Sequence, residues 1–402
     1  MIQHVHADAR SLPLEPCIVD AIVTDPPYGL GFMGKEWDRG VPGMEFWTEA
    51  LRVAKPGAHL LAFGGTRTHH LLICAIEDAG WEIRDCLMWL YGQGFPKSLD
   101  ISKSLDKQAG VWRGKAGAVT VSEQPAKGTE YERTAKVDPV TAAAAAWQGW
   151  GTALKPAWEP IIMARKPLEG TVVANVQKWG TGGINVDGCR QACGTEHMRG
   201  TVKYSDGGAL AGMRNSGKHN FKATDSQLGR WPANVCLDEE AAAMLDEQAG
   251  ERGGGFGTRG SQGSAVCLFG DSGGPSRFFY TAKASRSERE AGCHTLPSKT
   301  GAEATDREPD TAGLESPRAG AGRTAGHVRN YHPTVKPLAL MRWLVRLVTP
   351  PGGTVLDMFA GSGTTGRAAL EEGFKSIMVD ISEDYLEIQK ARSKEVQLGF
   401  PK

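Results

Sequence analysis

Apolar and polar positions change rhythm along this chain. Across residues 1–96, short apolar runs at Asp20–Thr24, His59–Phe63 and Arg84–Leu90 alternate with helix-like patterns at Phe46–Val53 and His69–Ala79. Runs bounded by turn residues predict strands, and apolar positions recurring every three to four residues predict helices, so this part carries a βαβ rhythm. The rhythm returns after residue 330. "PLALMRWLVRLV" places Leu338, Met341, Leu344, Val345 and Val348 on one helical face, with Pro337 suited to the helix start. "GTVLDMF" then predicts a buried strand, "TTGRAALEEG" a helix closed by Gly373, and "KSIMVD" another strand.

The middle reads differently. Residues 97–150 are polar and Ala-rich, after which "KPAWEPIIMARKPL" predicts a Pro-punctuated strand at Pro160–Ala164. From about 170 to 330, Gly, Ser, Thr and charged residues dominate, and "GGGFGTRGSQGS" and "TGAEATDREPDTAGLESPRAGAGRTAG" read as loops. One compact core cannot hold so polar a stretch, which predicts an inserted, loop-rich substrate module.

At 402 residues and 40% apolar content, the chain supports one large α/β domain with insertions, or two domains. No stretch approaches the roughly 18 apolar residues of a membrane span. The start, MIQHVHADAR, lacks a basic region followed by an apolar run. A cytoplasmic protein without membrane contact is the expectation. Eight scattered cysteines read as reduced thiols. With 46 basic and 46 acidic residues, a uniformly basic surface is excluded. Local excesses exist: seven Lys/Arg against three Asp/Glu between 190 and 235, and twelve against seven between 275 and 346.

Two short stretches carry chemistry. "TDPPYG" follows the strand-like run Ile18–Val23. Pro26 and Pro27 have no N–H for a ladder and fix their own φ, so the turn is stiff. It would hold the Asp25 carboxylate and the Tyr28 ring at the carboxyl edge of the sheet, where open α/β folds keep ligands. In "LDMFAGSGTTG", Gly361, Gly363 and Gly366 fit G-x-G-x-x-G between a strand and a helix, and Asp380 ends the next strand. That pattern serves a dinucleotide or any other adenosine-containing ligand. Asp357, just ahead of the glycines, would repel a pyrophosphate but suits an ammonium and a sulfonium, the groups of S-adenosylmethionine.

Together these residues resemble the amino-group DNA methyltransferases. D-P-P-Y at Asp25–Tyr28 is similar to that family's catalytic motif, "DMFAGSGTTG" to its cofactor motif, and "HPTVKP" at His332–Pro337 to a segment just upstream of the cofactor loop. The order, catalytic motif first and cofactor motif last, resembles class β. Met358 departs from the proline usual there. The resemblance implies a doubly wound, Rossmann-like α/β sheet with permuted motif order and a loop-rich target-recognition insertion. It implies a catalytic half at residues 1–170 (97–150 an insertion), target recognition at 171–330, and a cofactor-binding half at 331–402.

For chemistry, the resemblance implies that Asp25 and the Pro26 carbonyl accept the two N–H groups of a base amine, so that its lone pair points at the methyl group. Pro27 fixes the turn, Tyr28 stacks on a flipped base, and Gly29 gives that base room. S-adenosylmethionine would meet Phe359, Gly361, Gly363 and Thr364, with Asp357 near its ammonium and Asp380 on its ribose. Thr334 and Lys336 would donate to its carboxylate, and Asp8 would approach its adenine, although an Asp there also reads as a turn residue. Double-stranded DNA is the implied partner. With no nuclease-like stretch, any restriction endonuclease would be a separate chain.

D-P-P-Y leans toward the N6 amine of adenine, with the N4 amine of cytosine as the alternative. An NAD-dependent oxidoreductase would leave D-P-P-Y and H-P-T-V-K-P unexplained, and the intact catalytic motif argues against a silent DNA-binding relative. Pro16-Cys17 precedes its strand, so Cys17 is expected in the core rather than as a C5-cytosine nucleophile. Cys189, Cys193 and His197 have no second cluster at zinc spacing and are expected to be loop thiols. Trp179, Trp231, Phe278, Phe279 and Tyr280 are expected to anchor the middle region from inside, the alternative being DNA contact.

Overall fold

The computed structural model describes residues 1–31, 38–92, 94, 98–111, 118–119, 133–134, 138–191, 229–250, 274–282, 286–300, 303, 329–332 and 334–397. In chain order its elements are β1 (Ile2–His6), β2 (Val19–Thr24), α1 (Met44–Val53), β3 (Ala54–Phe63), α2 (His69–Asp78), β4 (Glu82–Leu90), α3 (Ile101–Gln108), β5 (Ala118–Val119) and β6 (Arg133–Thr134). There follow α4 (Ala142–Ala146), β7 (Trp158–Arg165), α5 (Val172–Trp179), β8 (Val235–Asp238), α6 (Glu239–Ala249), β9 (Tyr280–Ala282), α7 (Leu338–Val348), β10 (Thr354–Asp357), α8 (Thr364–Glu371), β11 (Lys375–Asp380) and α9 (Glu383–Gln397). They form two compact units, one of residues 1–92 with 158–402 and one of residues 93–157.

In the larger unit nine strands form one sheet, ordered β1-β11-β10-β2-β3-β7-β4-β8-β9. All neighbours run parallel except β7, which is antiparallel to both β3 and β4. Parallel strands are buried on both faces, so their residues divide between two cores. Leu61 and Phe63 of β3 and Ile161 and Met163 of β7 face one core, which α7 covers. Leu60 and Ala62, with Ile162 and Ala164, face the other, where Trp47 of α1 and Leu72 of α2 pack.

The strand order reverses between β10 and β2: from β10 the chain crosses to β11, from β2 to β3. Side-by-side carboxyl ends at such a point open a crevice. Because β7 runs the other way, its first residues arrive at that same edge. Phe63, the last residue of β3, pairs with Ile161, so Glu159 lies just beyond it.

α7 is apolar nearly all round. Besides the five residues of the expected face, Leu340, Trp343 and Leu347 are buried, because α7 also packs on α8 and on the Asp187–Cys189 turn. Gly373 closes α8 at φ +82°. β8 and β9 lie inside the stretch read as loops; runs as short as "VCLD" and "YTA" carry too few positions to show a period.

Cys17 is half-buried on a turn at φ +55° rather than in the core, since the chain must bend there to enter β2. Cys189 is buried and donates to the Trp343 carbonyl at 3.8 Å; Cys193 and His197 lie outside the described residues. Trp231 and Phe278 are not buried anchors. They are 66% and 45% exposed, with Arg190 over the first ring and Arg230 and Arg277 over the second. Tyr280 does pack inward, stacked on Trp343 at 5.1 Å.

In the smaller unit, Asp100 and Thr141 cap α3 and α4. Buried Asp106 accepts from the Val140 and Thr141 amides and the Thr141 hydroxyl, and Ser102 donates to the Ala144 carbonyl at 2.7 Å. β5 and β6 pair antiparallel. Among the described residues no helix is long and apolar enough to cross a membrane.

Candidate active site

Two loops leave adjacent strands at the crevice. Asp25, Pro26, Pro27 and Tyr28 follow β2, and the glycine loop begins at Asp357, the end of β10. They are joined directly: the Thr24 hydroxyl donates to Asp357 at 2.6 Å. Asp357 also accepts from the Thr365 hydroxyl at 2.6 Å and the Phe359 amide at 3.1 Å, and is 2% exposed. Burial raises its pKa to about 6, against the opposing effect of these three donors, with Asp25 adding to the rise.

Gly361 and Gly363 sit at φ +50° and +77°, a region that favours glycine. A side chain at 361 would strike the His332 imidazole, and one at 363 would strike Gln389. Neighbouring side chains therefore fill the space that a side chain would take at both positions. Asp380 holds it from the next strand, accepting from the Gly361 amide at 2.8 Å and the Ser382 amide at 2.9 Å. Burial raises the Asp380 pKa as well, its backbone donors opposing. Arg392 of α9 braces the loop from behind through the Ser362 carbonyl, the Ser362 hydroxyl and the Thr364 hydroxyl. Phe359 packs on Phe46 at 5.7 Å and on Trp47 at 6.3 Å.

Around Asp25 three polar side chains converge. The Lys336 ammonium lies 2.8 Å from Asp25 Oδ2 and 3.2 Å from Glu159 Oε2, and donates to the Tyr28 hydroxyl at 3.0 Å. That hydroxyl lies 3.0 Å from Asp25 Oδ1 and 2.9 Å from Glu159 Oε2, within reach to donate to either. Burial works against the Lys336 charge, but the two carboxylates outweigh it and leave the ammonium above its ordinary range. Burial, with Asp25 and Glu159 adding, pushes the Tyr28 phenol well up, so it stays protonated. The Thr68 hydroxyl fixes the Tyr28 carbonyl at 2.6 Å. Gly29, at φ +67°, is demanded by the Val41 backbone, which a side chain would strike.

His332 packs against the glycine loop, its imidazole standing beside Gly361. Its Nδ1 is 2.7 Å from the Thr334 carbonyl, so it carries the proton and leaves Nε2, beside Gly361, as an acceptor. Burial lowers its pKa to about 4. Thr334 itself is exposed. Asp8, beyond β1, pairs with Arg10 at 2.6 Å and accepts the Arg10 amide at 2.8 Å, the bonding of a turn residue.

The structure thus brings Asp25, Tyr28 and Lys336 together, and Asp357, Gly361 and Asp380 together, with Thr24 joining the two groups. Glu159 was missed. Its neighbours, Trp158 and Pro160, mark only a strand, and nothing local says that an antiparallel strand will deliver it to the crevice.

The family model described as DNA methylase, of the N6/N4 type, matches residues 19–391. The DNA adenine methyltransferase YhdJ of Escherichia coli (strain K12) is 44% identical over 57 residues, 14% of this chain and 19% of that protein. The Type II methyltransferase M.ScaI of Streptomyces caespitosus is 39% identical over 64 residues, 16% of this chain and 21% of that one. The chain thus spans about a fifth of the length of these curated relatives. The PvuII DNA methyltransferase (cytosine-N4-specific) superposes with a TM-score of 0.41 at 11% identity, over 97% of this chain and 86% of that one.

Proposed function

The chain belongs to the N6/N4 DNA methylase family, and we propose that it methylates the exocyclic N6 amine of adenine in duplex DNA, using S-adenosylmethionine. The carrying observation is the Thr24–Asp357 bond, which sets the D-P-P-Y turn and the glycine loop side by side in one crevice. The D-P-P-Y sequence and the name of the adenine methyltransferase relative support adenine over cytosine.

The residues fit the cofactor. The two buried carboxylates beside the glycine loop suit a cationic ligand where a pyrophosphate would be repelled. Phe359, Gly361, Gly363 and Thr364 would line that ligand, Asp357 and Asp380 would set the loop and its charge, and Asp8 and Thr334 would stand at the rim. Bound S-adenosylmethionine supplies an electrophilic methyl group on a sulfonium.

The amine is a poor nucleophile because its lone pair is delocalised into the ring. Asp25 and the Pro26 carbonyl would take one N–H each, turning that lone pair out of conjugation. Pro27 keeps the acceptor pair and the Tyr28 ring in one rigid turn. Stacking on Tyr28, worth about 1–3 kcal/mol, offsets part of the few kcal/mol needed to unstack the base. The Lys336 geometry favours orientation of Asp25 over contact with the cofactor carboxylate.

We further read residues 171–330 as target recognition, because base-edge contacts must come from outside the catalytic motifs. The test is transfer of labelled methyl to duplex DNA by the wild type and by Asp25→Ala. Label with the wild type alone supports the reading; equal label with both removes Asp25 from it.

A further inference from the structure

We propose that Glu159 is a positioning residue for Asp25, keeping it basic by sharing the Lys336 ammonium. The proposal rests on the methyltransferase reading for its purpose, but not for its test. Lys336 has three N–H groups, and the three acceptors around it are Asp25, Glu159 and Tyr28. Its charge sits over the face of Phe63, 4.8 Å from the ring centroid, and the residue is 9% exposed. A buried cation with one carboxylate would neutralise it. Two carboxylates on one ammonium leave the cluster with a net negative charge.

That difference matters at the amine. As the N–C bond forms and the S–C pair returns to sulfur, the nitrogen becomes cationic and must lose a proton, which Asp25 accepts. An Asp25 paired one-to-one with Lys336 would be a weaker base and a poorer acceptor. Glu159 prevents this from a strand that no substrate motif includes, touching Asp25 only through Lys336 and Tyr28. The other titratable groups facing the cluster are Tyr91, His332 and Asp357. Tyr91 is pushed up to about 12 and His332 down to about 4, both chiefly by burial, so neither changes charge near neutrality; Asp357, raised to about 6 by burial, does, and the titration is therefore compared in an Asp357→Asn background as well.

The experiment follows the Asp25 carboxylate by carbon-13 NMR in the full chain, its signal assigned by its loss in Asp25→Asn. Removing the negative neighbour in Glu159→Gln should lower the Asp25 midpoint. Removing the cation in Lys336→Met should raise it, and Glu159→Asp should leave it near the wild type. Steady-state kcat should fall tenfold or more in Glu159→Gln, with S-adenosylhomocysteine affinity within about twofold. An unmoved midpoint in Glu159→Gln overturns the proposal; should that variant not fold, an unmoved midpoint in Lys336→Met does so. Because the titration needs no turnover, a wild type that transfers no methyl defeats the functional reading alone.

Discussion

The Thr24 hydroxyl and the Asp357 carboxylate, on neighbouring strands from opposite ends of the chain, are joined by a buried hydrogen bond of 2.6 Å. Thr24→Val would leave Asp357 Oδ1 with the Phe359 amide alone. Breaking a buried bond to a carboxylate costs about 1–3 kcal/mol. Urea unfolding should show that loss in Thr24→Val and less than about 1 kcal/mol in Thr24→Ser; a Thr24→Val curve superimposed on the wild type would contradict the coupling.

Asp25→Ala removes the acceptor of the amine N–H and leaves the glycine loop intact. Transfer should fall by about 10²–10⁴-fold, while S-adenosylhomocysteine binding by calorimetry stays within about threefold, because only a transition-state contact is lost. A parallel loss of cofactor affinity would mean that Asp25 belongs to the cofactor site instead.

Asp357 also predicts a pH dependence. Its pKa rises from 3.8 to about 6 on folding, so the folded state binds the proton more tightly. Its contribution to stability is complete below 3.8 and is lost as pH rises through about 6. Stability of Asp357→Asn relative to the wild type should therefore improve by about 1 kcal/mol between pH 5 and 7. Denaturant melts at the two pH values measure it, and a constant difference would place the Asp357 titration elsewhere.

Gly361 carries no side chain because the His332 ring stands where one would go. Gly361→Ala should weaken S-adenosylhomocysteine binding by about tenfold, and adding His332→Ala should restore part of it, since the two sites share one space. Additive losses in the double variant would show that the left-handed backbone at 361, rather than the imidazole, sets the requirement.

What the sequence made legible was local. The alternation of strand and helix at both ends, the stiff Pro26-Pro27 turn and the glycine loop each declare themselves within a dozen residues, and the structure puts them where those patterns require. What stayed hidden was pairing across the fold. Lys336 was expected to face the cofactor, and only the packing of α7 against β2 and β3 turns it toward Asp25. Glu159 was invisible because its value depends on the direction of β7. Trp231 and Phe278 look like core residues in a string of letters; exposure under arginines is a tertiary fact.

The most direct test of the central claim is nucleoside mass spectrometry of mixed-sequence duplex DNA incubated with the protein and methyl-labelled S-adenosylmethionine. The account predicts label in N6-methyladenine, and none when Asp25→Ala replaces the wild type. Label confined to N4-methylcytosine would contradict the choice of base, and the absence of label from every nucleoside, with no binding of S-adenosylhomocysteine, would contradict the account itself.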